Sequence, residues 1–336
     1  MPVGPSNRRE FIAGLGGAAA WPVAAWPVAA WAQKQTIPAI GFLDWGSQNN
    51  RIVAAFRRGL SEAGYIDGHN VEVEFRWAEG RYDLLPALAT DLVRRQVVVI
   101  VASGSTGAAL AVRAVSSTVP VVVAVGGDPV NYGLASNLGR PDRNVTGVTF
   151  ISTELAGKRL SLLREIVPQV KSVAYLSGGP RFLRFENEAT SVTEAANALG
   201  WQITSAEAKS AYELDDAFAK IVTSQAEALV VGVVPHFTSN SSKIVAFAQR
   251  SKIPTIYPFR IYVDRGGLMS YGADYGNALH KVGVDYVGRI LKGAKVADLP
   301  IQQPDKFQLI VNRNAAKELN LSIPPTLLAL ADEVIE

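Results

Sequence analysis

Short β-branched runs alternate with amphipathic stretches along most of the chain, a pattern that predicts parallel α/β layers. Apolar runs predict buried strands over 37–43, 97–102 and 121–125, and polar–apolar alternation predicts another over 71–76. Helices are expected between them, over 50–63, 82–95 and 105–116. In the first of these, Ile52, Val53, Phe56 and Leu60 share one face while Arg57, Arg58 and Glu62 lie largely opposite, and Gly64 ends the helix.

The second half repeats the order. Strands are predicted over 172–176, 201–206 and 228–234, with helices over 182–199, closed by Gly200, and over 239–250. Ser210-Ala211-Tyr212-Glu213 reads as a capping box that opens a helix turning Leu214, Phe218, Ile221 and Val222 inward. The shared succession of glycine stop, strand, helix and apolar strand predicts two doubly wound parallel-sheet lobes rather than one long sheet. They join near 144–151, where Ser152 is expected to cap the next helix.

Strands over 268–271 and 307–311 and helices over 275–291 and 315–319 are too few for a third domain. They are expected to return to the lobes. Lobe 1 then comprises 33–149 with about 264–303, and lobe 2 comprises 150–263 with about 304–336. The architecture favours a ligand cleft between the lobes, at the carboxyl ends of the strands.

The N-terminus has a different pattern. Arg8-Arg9, followed by Phe11 and Ile12, resembles a twin-arginine export motif. An uncharged stretch then runs to Ala30-Trp31-Ala32, a small-x-small ending. Residues 1–32 are therefore expected to be an export signal cleaved after Ala32, leaving a soluble periplasmic product. Pro22 and Pro27 would disrupt a membrane-spanning helix here. Gly14-Leu15-Gly16-Gly17-Ala18-Ala19 fits a dinucleotide fingerprint formally, but it follows no strand and carries no such function.

Composition removes several classes. The 336 residues include no cysteine and only three histidines, so disulfides, thiolate chemistry and a histidine-rich metal site are not expected. The net charge of +3 comes without a basic run interleaved with aromatics, which argues against nucleic acid as a partner. No cofactor motif is present.

Candidate ligand contacts sit at the predicted strand ends. Ser103-Gly104-Ser105-Thr106-Gly107 opens a helix, where free N–H groups attract a carboxylate and the hydroxyls of Ser103, Ser105 and Thr106 add donors. Alternatively Ser105 or Thr106 only caps that helix. Trp45 either supplies a flat apolar wall or packs at the lobe surface. Asp128 either holds an ammonium group or, with Pro129, makes a turn. The strand ends of the second lobe offer Ser177, Pro235, His236, Phe237, Tyr257 and Phe259, and a later segment offers Tyr271 and Asp274; alternatively the aromatics among them belong to the core. His236 reads as a surface or capping residue. Together these groups suit an amino acid or an aromatic carboxylate.

Ser103-Gly104-Ser105-Thr106-Gly107 also approximates a nucleophile elbow, with Ser105 as nucleophile and His236 or His280 as base. A two-lobed repeat is not the single sheet of that hydrolase fold, and no oxyanion-loop motif accompanies it, so no enzyme is expected. A ligand sensor docking on a membrane receptor is a further alternative.

Ordered blocks then carry a resemblance. They are Phe56-Arg57-Arg58-Gly59-Leu60 with Gly64-Tyr65, Phe75-Arg76-Trp77-Ala78-Glu79-Gly80, Gly126-Gly127-Asp128-Pro129-Val130 and Asn144-Val145-Thr146-Gly147. Gly157-Lys158-Arg159-Leu160, Gly266-Gly267-Leu268-Met269-Ser270-Tyr271-Gly272 and Ile323-Pro324-Pro325 follow. In this order the chain resembles the ABC-transporter substrate-binding proteins that include tryptophan-binding members. The resemblance implies a type I periplasmic-binding-protein fold that closes over a small ligand. It further implies delivery to an ABC permease driven by a cytoplasmic ATPase; separately, a monomer without a cofactor is expected.

Overall fold

The computed structural model describes residues 37–150, 155–179, 186–304 and 307–336. The export-signal reading, the Ser152 cap and the start of the helix expected at 182 lie outside these residues.

The first lobe runs β1 (Ala39–Asp44), α1 (Asn50–Glu62), β2 (Glu72–Trp77), α2 (Leu85–Arg94), β3 (Val99–Ser103), α3 (Thr106–Val115), β4 (Val121–Val125) and β5 (Val145–Thr149). Its five strands pair in parallel in the order β2-β1-β3-β4-β5. Period-two alternation sends successive side chains of β3 to opposite faces. Val99 and Val101 join one core with Phe42, Phe56 and Leu60, while Ile100 and Ala102 join another with Leu43, Leu92 and Val112. Both faces of the sheet are therefore covered, as a parallel sheet requires.

The second lobe begins α4 (Ala156–Ile166), β6 (Ser172–Ser177), α5 (Glu186–Ala198), β7 (Gln202–Glu207), α6 (Leu214–Thr223) and β8 (Ala228–Val231). It continues α7 (Pro235–Ser239), α8 (Ser241–Arg250), β9 (Thr255–Tyr257), α9 (Arg260–Val263) and β10 (Met269–Ala273). A long helix follows as α10 (Tyr275–Lys281), a π-helical stretch (Val282–Val287) and α11 (Gly288–Leu291). The chain ends with β11 (Phe307–Asn312), α12 (Arg313–Glu318), α13 (Pro325–Leu330) and β12 (Glu333–Ile335). The seven-stranded sheet has the order β12-β11-β10-β9-β8-β6-β7, with β10 and β11 antiparallel and the other pairs parallel.

One expected assignment differs. The strand near 268–271 is expected in lobe 1, but Met269–Ala273 pairs with β9 and β11 in the second sheet. A buried extended segment must satisfy its N–H and C=O groups, and those two strands supply the partners. The helix that follows does pack on α1 of lobe 1. The chain thus crosses between lobes from β5 to α4, from β10 to α10, and from Gln302, which bridges Val148 of β5, to β11.

Local readings shift too. The box at Ser210 does not close reciprocally: the Ser210 hydroxyl donates to Glu213, whose carboxylate accepts the Lys209 N–H at 3.0 Å. Val222, expected inward, is exposed, because Ile221 takes the buried position in that turn. The strand expected over 228–234 stops at Val231, where the Val233 N–H leaves the ladder for the Glu188 carboxylate.

Candidate functional site

A cavity of about 360 Å³ lies between the lobes, within the range of roughly 300–1,000 Å³ typical of small-molecule sites. On the lobe 1 side it is bounded by the ends of β1, β3 and β4 and by the start of α3. On the other side stand Val233, Pro235, Thr238 and Phe259, with Asp274 and Gln308 from the crossings.

Trp45 follows β1 and sits almost fully buried against Tyr82, the ring centroids 5.0 Å apart. The two rings, tilted 41° to each other, border the cavity as an aromatic wall. The Tyr82 hydroxyl lies 3.1 Å from Ser105 Oγ, which also accepts the Gly107 N–H at 3.1 Å as the N-cap of α3. Thr106 opens that helix and lines the cavity. The start of α3 therefore borders the cleft with Thr106 and the positive end of the helix dipole.

Tyr275, at the start of α10, reaches into the lobe 1 strand ends. Its hydroxyl is 2.6 Å from Ser103 Oγ and accepts the Gly104 N–H at 2.8 Å. Burial raises its pKa, helped by the charge of Asp44, so the phenol stays neutral. Asp44 itself ends β1 inside the wall, 4% exposed, and accepts the Gly46 N–H at 2.7 Å. Burial raises its pKa too, against hydrogen bonds from Ser103 and Gly46 that lower it.

The rims of the lobes meet. Arg51 of α1 pairs with Asp264 beyond α9 at 2.6 Å. A Cβ built on Gly46 would stand 3.7 Å from the Ser239 hydroxyl of the opposite lobe. The exposed ion pair contributes at most ~1 kcal/mol.

The residues singled out from sequence are placed as follows. Trp45, Ser105, Thr106 and Asp274 line the cavity together. Ser103 is fully buried behind that wall, bonded to Tyr275. Asp128 accepts the Val130 N–H at 2.8 Å in a turn outside the lining. Phe237 and Tyr257 are fully buried in the lobe 2 core, and Tyr257 stacks on Tyr262 at 4.9 Å. The ring of Tyr271 packs beside Phe307, away from the lining. Ser177 ends β6 and lines a second cavity in lobe 2, its Oγ 3.5 Å from the Ser205 hydroxyl.

His236 is not a surface residue. It is buried edge-on to Phe237, with Nε2 2.9 Å from the Ala208 carbonyl, and burial lowers its pKa. His280 pairs with Glu62 at 2.7 Å. The Ser105 side chain bonds to the Tyr82 hydroxyl and the Gly107 N–H. Among the described residues, no cluster of acidic or histidine side chains could hold a metal, and no helix is long and apolar enough to cross a membrane.

Sequence reasoning missed Asp44, Tyr82, Tyr275 and Gln308. Asp44 had a readable signal, as the one acid closing an otherwise apolar strand. Tyr275 and Gln308 reach the cleft only through the crossings, which leave no local pattern.

Comparison with known proteins adds to this geometry. The sequence profile of the family described as ABC transporter substrate binding protein matches residues 42–335. A tyrosine-binding protein of Clostridioides difficile is 24% identical over 267 residues, spanning 79% of this chain and 75% of that protein. The structure of an ABC domain from Streptococcus pneumonia in complex with L-Trp is 26% identical, with a TM-score of 0.78 over 89% of this chain and 99% of its own. A conserved domain protein from Vibrio cholerae is 25% identical, with a TM-score of 0.78 and the same coverage of 89% and 99%.

Proposed function

This chain belongs to the family of ABC transporter substrate-binding proteins, and from that premise we propose that it captures an aromatic α-amino acid between its lobes. It does so outside the cytoplasm, after export directed by residues 1–32. The closed form then delivers the ligand to a membrane permease driven by a cytoplasmic ATPase. Binding energy holds the lobes together, and no covalent chemistry is involved.

The observation that carries the ligand class is the juxtaposition in one wall of the Trp45–Tyr82 ring pair, the N-terminus of α3 and a buried carboxylate. The rings suit an aromatic side chain, the helix start suits a carboxylate, and the acid suits an ammonium group. The likeness to a tyrosine-binding protein and to a tryptophan-bound domain supports the same class.

Thermal unfolding of the purified protein against L-tyrosine, L-tryptophan, aliphatic amino acids, sugars and polyamines tests this reading. At about 100 times the dissociation constant, the correct ligand should stabilise the fold by ~2.7 kcal/mol. A saturable shift confined to aromatic amino acids is expected. A shift produced only by sugars or polyamines contradicts the assignment.

A further inference from the structure

Asp44 lies in the cavity wall with almost none of its surface exposed. A carboxylate so placed needs a counter-charge, a proton or a full set of donors. Its donors are the Gly46 N–H on Oδ1 and the Ser103 hydroxyl. Of the arginines that line the same cavity, Arg51 pairs with Asp264, Arg260 pairs with Asp264 and Glu333, and Arg265 is exposed. The titratable group that faces Asp44 is Tyr275 of α10, a neutral phenol.

The chain is also kept thin around this group. A Cβ on Gly104, which adopts φ +75°, would sit 2.8 Å from Asp44 Oδ1, and one on Gly46 would sit 3.2 Å from the same atom. Both glycines line the cavity. Two other acids bound the same space: Asp264 pairs with Arg51, and Asp274 is only partly buried, so solvent shares its charge. Its Oδ1 accepts the Asn277 N–H at 3.0 Å to cap α10, and its Oδ2 accepts Gln308 Nε2 at 3.1 Å.

We propose that Asp44 takes the ammonium group of the bound amino acid and so selects α-amino acids over carboxylates that lack the amine, while Asp274 holds the crossing. This assignment rests on the amino-acid reading above. It has a proton consequence. Because burial raises the pKa of Asp44, the free protein holds a proton there at pH below that raised value, and an arriving ammonium displaces it. Well above that pH the site is already charged, and binding releases no proton.

Titration calorimetry on the wild type, Asp44→Asn and Asp274→Asn tests the proposal, with L-tyrosine and L-tryptophan against 3-(4-hydroxyphenyl)propionate and indole-3-propionate. Wild type should prefer the amino acids. Asp44→Asn should weaken amino-acid binding by about 30-fold or more, as expected on removing one partner of a buried charge pair, and leave the des-amino acids little changed. Asp274→Asn should keep the preference. Since the amide removes a buried charge, Asp44→Asn should unfold no earlier than wild type when ligand is absent. Low-pH titrations in buffers of different ionisation heat should show proton release for wild type and none for Asp44→Asn. If Asp44→Asn keeps the amine preference, or Asp274→Asn is the variant that loses it, the assignment is overturned. If wild type binds the des-amino acids as tightly as the amino acids, the assignment fails while the aromatic reading stands. If wild type binds none of the four, the ligand class itself is wrong and the assignment falls with it.

Discussion

Glu188→Ala should destabilise the protein by about 3–5 kcal/mol, the usual result of stranding one member of a buried ion pair. Arg159 and Glu188 are both 1% exposed at the side chain, and Arg159 Nη1 lies 3.4 Å from Glu188 Oε1. Burial pushes the Glu188 pKa up and the Arg159 pKa down, so burial opposes the charged form of each and the charge of the other favours it. The pair also ties backbone in place. Arg159 Nε donates to the Tyr271 carbonyl at 2.9 Å, and Glu188 accepts the Val233 N–H at 3.0 Å and the Tyr175 hydroxyl at 3.1 Å. Val233 lines the cleft, and Tyr271 belongs to the strand that leads to Asp274. The lobe 2 wall should therefore loosen along with the fold. Replacing both partners, as Arg159→Met with Glu188→Leu, should recover much of the loss, because no charge is then left unpaired. Urea midpoints for the single and double variants measure this. A Glu188→Ala variant within 1 kcal/mol of wild type would show that the pair is not the anchor described.

Gly59→Ala should destabilise by about 1–3 kcal/mol or more, although alanine is the better helix former by roughly 0.5–1 kcal/mol. A Cβ at Gly59 would fall 2.1 Å from the carbonyl oxygen of His280, which is backbone and cannot swing aside. The same contact continues at Gly283, whose Cβ would meet the Phe56 carbonyl at 2.7 Å, and at Gly288, 2.4 Å from the Ala63 Cβ. α1 and the long helix after β10 therefore touch backbone to backbone, and an added methyl must push them apart. Since that helix begins with Tyr275, the displacement reaches the Ser103–Gly104 loop, and ligand affinity should fall as well. Gly157→Ala in α4 is the control. Its Cβ would meet only the Ala195 Cβ at 3.8 Å among the described residues, so propensity should win and the variant should gain stability. Thermal melts of the two variants should move in opposite directions; movement in the same direction would refute the packing argument.

Much of the fold was legible because its signals are local. The stripe Val53, Phe56 and Leu60 of α1 and the alternation of β3 each specify an element and its buried face without knowledge of the rest of the chain. The sheet that Met269–Ala273 would join was not legible, because strand pairing is a long-range choice made by free ladder partners. The site divides in the same way. Trp45, Ser105 and Thr106 were reached through the rule that ligands sit at carboxyl ends of parallel strands. Phe237 and Tyr257 also follow strand ends, but their side chains turn into the core, and sequence position alone does not distinguish inward from outward there. Asp44 and Tyr275 matter through burial and through each other, and both facts require the assembled lobes.

The central claim is that the cleft between the lobes holds an aromatic α-amino acid, and a crystal structure of the protein grown with L-tryptophan or L-tyrosine tests it most directly. The account predicts the ring against Trp45 and Tyr82, the carboxylate at the start of α3 and the ammonium group on Asp44. An amino acid bound outside this cleft, or bound within it with the ring away from Trp45 and Tyr82, would contradict it.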